Sequence, residues 1–248
     1  MATVDATPQL LKYHCRTQEE EDPSFGPAPI SNLAGTTGDN APDQPDSLVV
    51  GFGEIVPRWD VKTAGARKLQ YFVATDTFPS PSVAQTAAKE FQAAAESWNE
   101  LELGISISET TDQEAVNFNL VYKVNTLKSE MDTLAQAFFP HETNEEVIVF
   151  KLALGPQYLP ILKNIFQHEI GHILGLRHEF AIEKEGFGAV QLFEKNEKSV
   201  MSYNFPPRIQ DSDREQITEF YKLANGYMIN GSPVTDFQPQ IRRKTGRR

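Results

Sequence analysis

The stretch HEIGHILGLRHE, residues 168–179, constrains this chain more than any other, because it sets three histidines at a spacing that one helix cannot serve alone. On an α-helix, positions 168 and 172 differ by about 40° in azimuth and ~6 Å along the axis, so His168 and His172 can point at one ion. Zinc accepts such a pair at ~2.0–2.1 Å from each nitrogen. Continued helix would carry residue 178 to the face opposite His172, so His178 reaches the same point only if the helix ends between them. Gly175 supplies the ending: glycine enters the left-handed conformation without steric cost, and the chain can turn back to present His178 from below. At average composition, H-E-x-x-H-x-x-G-x-x-H is expected in on the order of one in 10⁵ chains of this length.

Three histidine ligands leave the fourth position of a zinc ion open to water. Glu169 falls beside that position and not on the metal. Zinc lowers the pKa of a bound water and polarises a carbonyl, while a neighbouring carboxylate takes the proton and passes it to a leaving amine. The pattern therefore implies metal-assisted hydrolysis, with His168, His172 and His178 as ligands of one Zn²⁺ and Glu169 as the base. His14 and His141, the other two of the five histidines, have no partner at ligand spacing, and the pair His14-Cys15 is a weak metal signal.

The rest of the chain predicts an α/β fold. Residues 1–57 are proline-rich, carry the acidic run Glu19 to Asp22, and read as a tail or pro-segment that buries little apolar surface. LQYFVAT (69–75), ISISE (105–109), FNLVYKV (118–124), TLAQAFF (133–139) and VIVFKL (147–152) read as strands. Ser82–Trp98 places Val83, Ala87, Phe91, Ala94, Ala95 and Trp98 at helical spacing, a second helix runs over about 158–174, and Ser212 with Glu215 suggests a capping box opening a third, Ser212–Leu223. These elements predict a twisted, mixed, five-stranded sheet, two long helices behind it, and a smaller C-terminal subdomain. The expected limits are 58–225 for the catalytic domain and 226–248 for a C-terminal tail with a basic end.

The extended motif, followed by SVMSY (199–203), resembles the metzincin clan of zinc endopeptidases, which implies a zincin-like fold and makes Met201 the methionine of the turn beneath the metal. The resemblance covers about residues 59–224. LAQAFFP (134–140) followed by VIVF is similar to the edge strand and next strand of matrixin-like and astacin-like members. In the clan that edge strand lies antiparallel to bound substrate, which implies Ala135, Gln136 and Ala137 as substrate contacts. Glu179 and Tyr203 are astacin-like, and in that family this tyrosine can act as a fifth ligand and stabilise the transition state. The lone cysteine excludes the disulfides usual in astacins, and the short stretch from His178 to Met201 is nearer to matrixins, so the family within the clan stays open. Pro-segments of matrixins and astacins resemble latches that place a cysteine or an aspartate on the zinc. Cys15 and Asp39 are the nearest analogues here, without the surrounding motif of either family.

Composition narrows the partners. A formal net charge of -11 argues against nucleic acid, despite the local basic end Arg242, Arg243, Lys244, Arg247 and Arg248. No run approaches the roughly 18 apolar residues of a membrane span. The expected partner is a polypeptide substrate, and the expected state a monomer. The N-terminus shows no secretory h-region, and one cysteine permits no internal disulfide, so the compartment stays open although clan members are mostly secreted. Two rivals are a catalytically silent zinc-binding interaction module and a protein in which zinc only staples the fold. The first is disfavoured by Glu169, the second by the absence of a fourth ligand in the motif.

Overall fold

The computed structural model describes residues 48–63, 67–127, 130–143, 146–184, 188–193, 196–202 and 204–241, and the backbone of residues 14–15. Along the chain these carry β1 (His14–Cys15), β2 (Val49–Val50), β3 (Val56–Trp59), β4 (Lys68–Val73) and the helix α1 (Pro81–Asn99). The strands β5 (Ser106–Glu109), β6 (Phe118–Lys123), β7 (Thr133–Gln136) and β8 (Glu146–Phe150) follow. Then come α2 (Leu162–Ile173), the single turn α3 (Ala181–Lys184), β9 (Val190–Gln191), α4 (Asp211–Lys222), β10 (Met228–Ile229) and β11 (Ser232–Phe237).

The five expected strands form the curled mixed sheet of a zincin-like fold in the order β7-β8-β6-β4-β5, and β1 adds outside β7. β4 pairs in parallel with β5 and β6, β6 with β8, and β7 turns antiparallel to β8. A parallel pair needs a crossover, and α1 makes the one between β4 and β5. It opens with Ser80 accepting from the Val83 N–H at 3.4 Å and with Pro81 at the first position, where a missing N–H costs nothing. Ala84, Ala87, Phe91, Ala94, Ala95 and Trp98 are buried along one face. The alanines let α1 lie close to α2, and each large side chain buried there contributes about 1.5–3 kcal/mol. Phe91 stands edge-on between Tyr71 and Phe166, with ring centroids 4.8 and 5.1 Å away. The Trp98 indole donates to the Gln167 carbonyl at 2.9 Å. The helix carrying the motif is thereby fixed from behind.

The packed structure extends past the expected limits on both sides. Leu48, Val49, Val50 and Val56 are buried, β3 pairs in parallel with β11, and β10 lies antiparallel to β11. Arg58, fully buried, donates to Asp236 at 2.7 Å, to the Phe220 carbonyl at 2.6 Å and to the Leu223 carbonyl at 2.8 Å, so β3 caps the end of α4. Residues 48–57 and 226–237 thus belong to the packed unit, because each segment covers what the other leaves open.

Two boundaries also differ from expectation. β7 ends at Gln136, and the chain beyond it leaves the sheet to bring the Phe139 ring within 5.3 Å of His172. The capping box of α4 is formed by Gln210 and Asp213, not by Ser212 and Glu215. The Ser212 hydroxyl accepts from Asn196 instead, at 2.8 Å.

Candidate metal centre

The end of α2 sets the geometry of the site. The Gly175 N–H donates to the His172 carbonyl at 2.8 Å and the Leu176 N–H to the Gly171 carbonyl at 2.9 Å, a Schellman closure. Gly175 has φ +94°, and a Cβ there would stand 2.5 Å from the Pro57 carbonyl oxygen, so the position needs glycine for conformation and for space. The last carbonyls of the helix are held from outside. Trp59 donates to Ile173 at 2.6 Å and the Tyr221 hydroxyl to Leu174 at 3.1 Å. The Arg177 N–H donates to Val49 at 2.8 Å, so the segment leading to His178 is fastened to β2.

Beyond this turn the three histidines converge, with one candidate ligand atom from each lying within 4.8 Å of the others, and all three side chains are buried. His168 Nδ1 meets the Val200 carbonyl at 2.8 Å, and His172 Nδ1 meets the Leu176 carbonyl at 2.8 Å. A carbonyl only accepts, so both Nδ1 atoms carry the hydrogen and both Nε2 atoms are left to face the centre. His168 Nε2 and His178 Nε2 are 3.1 Å apart. Two nitrogens at ~2.0–2.1 Å from one tetrahedral zinc would stand about 3.4 Å apart, so the site accepts such an ion with shifts of a few tenths of an ångström. Burial, reinforced by His178, holds the His168 pKa well below the ordinary histidine value; burial, His178 and His168 do the same for His172. Neutral imidazoles are the form that binds a metal.

The turn containing Met201 closes the site from below. The Ser202 N–H donates to the Ser199 carbonyl at 3.0 Å, and the Met201 carbonyl accepts from the Glu179 N–H at 3.2 Å. Met201 is buried, and its sulfur fills the space that a Cβ on Gly171 would need. Residues 61–186, just over half the chain, match the dual-action HEIGH metallo-peptidases. The chain belongs to this family.

As a HEIGH metallo-peptidase, the protein is a metallopeptidase of metzincin type, and the letters of the family's description are read directly at His168–His172. None of the curated proteins matches it. Glu169 is fully buried in α2 beside the first histidine. Ala135 and Gln136 lie in β7, while Ala137 lies just past its end. Tyr203 and Asp39 lie outside the described residues, and Cys15 is described only by its backbone, paired with Ala135. His141 stacks among Phe52 and Phe139, with centroids 4.8 and 6.1 Å away, and takes no part in the three-histidine group. Among the described residues no helix is long and apolar enough to cross a membrane.

Several residues that hold the centre were not singled out in the sequence. Asp213 accepts from the Val200 N–H at 2.9 Å and the Gln210 N–H at 2.7 Å, which couples the start of α4 to the residue that orients His168. Gly171 did offer a signal: a glycine inside a helix costs about 1 kcal/mol relative to alanine and invites a packing explanation. Val200 and Leu176 act through backbone carbonyls, which any residue carries, so their identities said nothing.

Proposed function

We propose that this HEIGH metallo-peptidase is a zinc-dependent endopeptidase that cleaves internal bonds of extended polypeptides. The observation that carries the reading is the convergence of three buried imidazoles, two with their outer nitrogens fixed by backbone carbonyls. His168, His172 and His178 would hold the ion, which when bound supplies a Lewis acid for the scissile carbonyl and for water. Glu169 takes the proton of the attacking water and hands it to the leaving nitrogen. Tyr203 is our candidate for stabilising the oxyanion that develops on the carbonyl. β7 supplies main-chain pairing for the substrate through Ala135, Gln136 and the adjoining Ala137. Such pairing needs no chain terminus, which supports endopeptidase over exopeptidase action. We take residues 48–241 as the folded catalytic unit, acting as a monomer.

The test compares wild type with Glu169→Gln on an unstructured protein, with zinc content measured for both. The expected result is equal zinc and a loss of roughly 10²–10⁴ in turnover for the variant. Equal cleavage by the two proteins refutes the role of Glu169. Full zinc without cleavage by wild type, including wild type freed of its N-terminal segment, would leave a silent zinc-binding module.

A further inference from the structure

Residues 176–178 belong to no helix or strand, yet they serve two of the three histidines. The Leu176 carbonyl orients the His172 ring at 2.8 Å, and His178 belongs to the three-histidine group itself. Arg177 lies between them and is fully buried. A charged group leaves water only against partners that replace its lost hydration. Here Nη1 donates to the Gly51 carbonyl at 3.2 Å, and Cζ stands 4.5 Å from the centroid of the Phe52 ring. A guanidinium can do both at once, because its edge donates while its flat face covers an aromatic ring; an ammonium has no such face.

The ring beneath Arg177 leads back to the metal centre. Phe52 lies against Phe139, with centroids 4.6 Å apart, and Phe139 stands edge-on to His172 at 5.3 Å. The path from Arg177 through Phe52 and Phe139 to His172 thus closes a loop with the main chain from 172 to 177. Its outer anchor is held in place, since Val49 and Val50 are buried and pair with Gln191 and Val190. The Arg177 N–H donates to the Val49 carbonyl at 2.8 Å, so backbone and side chain of one residue grip the same short segment. Two holds fix both the position and the rotation of the chain at 177, where one alone would leave a swivel.

We propose that Arg177 is a positioning residue of the metal centre: clamped on Gly51 and Phe52, it sets the spacing between His172 and His178, and Phe139 carries the clamp onto the His172 ring. The proposal rests on the reading of these histidines as ligands of one ion. Groups that steady ligands from behind change metal affinity by about 10- to 100-fold when removed.

Four variants of the full chain test it. Phe52→Leu removes the ring and keeps an apolar side chain, Arg177→Lys keeps the charge and removes the flat face, and Phe52→Tyr keeps a ring. Ile107→Ala empties a buried site in β5, at the opposite edge of the sheet from β7, and serves as the structural comparison. The readouts are the Tm of the metal-free chain and, well below the lowest Tm, the zinc dissociation constant by chelator competition and the visible absorption bands of bound Co²⁺, which report ligand geometry. Phe52→Leu and Arg177→Lys should each weaken zinc binding by about tenfold and change the Co²⁺ bands. Combined, they should again cost about tenfold and not about a hundredfold, because both break one path. Phe52→Tyr should match wild type. Ile107→Ala should lower Tm and leave zinc affinity and the Co²⁺ bands at wild-type values.

Zinc affinity and Co²⁺ bands that ignore both Phe52→Leu and Arg177→Lys overturn the clamp. Zinc binding that weakens in step with Tm, with Ile107→Ala affected alike, makes Arg177 a structural residue and overturns its positioning role. Independent losses that multiply in the double variant overturn the shared path. Failure of the metal reading looks different: wild type itself takes up neither zinc nor Co²⁺, and the proposal falls with it.

Discussion

Replacing Gly175 by alanine tests how His178 reaches the metal. The backbone there is left-handed at φ +94°, which costs a residue with a Cβ about 1–2 kcal/mol. The new Cβ would also stand 2.5 Å from the Pro57 carbonyl oxygen, which cannot rotate away as a side chain would. Relief requires β3 to move, yet β3 is paired with β11 and tied to the end of α2 through Trp59. Overpacking of this kind adds about 1–3 kcal/mol. A total of about 3 kcal/mol lowers Tm by about 6–12 °C in a domain of this size. Gly175→Asn separates the two terms, because asparagine tolerates the left-handed region but still carries the Cβ, so its Tm should fall between alanine and wild type. Thermal unfolding of the metal-free proteins reads the stability, and chelator competition reads the third ligand, whose displacement should weaken zinc binding by about 10- to 100-fold. An alanine variant melting within about 2 °C of wild type, with zinc affinity unchanged, would refute the argument that this turn presents His178.

Acid should destabilise the metal-free protein. Burial lowers the pKa of His141, His168 and His172, so below about pH 6.5 the unfolded chain takes up protons that the folded chain refuses. Stability is present above that pH and lost below it, by up to ~1.4 kcal/mol per pH unit for each histidine that stays neutral; a urea midpoint no lower at about pH 5.5 than at about pH 7.5 would contradict this. Asp213→Ala should weaken zinc binding by about 10- to 100-fold in chelator competition, because the residue orienting His168 loses its anchor, and Asp213→Asn should restore most of it through its remaining acceptor oxygen. A chain begun at residue 58 should fail to show a cooperative melt, since it lacks β2, half of β3 and the Val49 carbonyl that holds Arg177.

What the sequence disclosed about the site depends on how local the determining contact is. The pair His168 and His172 follows from helix period alone, and Gly175 follows because the same period forbids His178 from lying on the helix. The match of Met201 to Gly171 spans thirty residues and involves a side chain filling a void, so no pattern along the chain could announce it. The pairing of β3 with β11 joins segments 178 residues apart, as Arg58 with Asp236 shows, and each carries a proline, Pro57 and Pro233, which argues locally against a strand. The helix α4 is the most instructive case. Ser212 with Glu215 and Gln210 with Asp213 are both polar pairs three residues apart, and local preference favours serine. What selects the second pair is a tertiary contact, since Asp213 also serves the Val200 N–H and so must lie in the first turn, facing inward. The cap of this helix is therefore set by the metal centre: a buried carboxylate placed to steady His168 through Val200 also fixes where α4 begins.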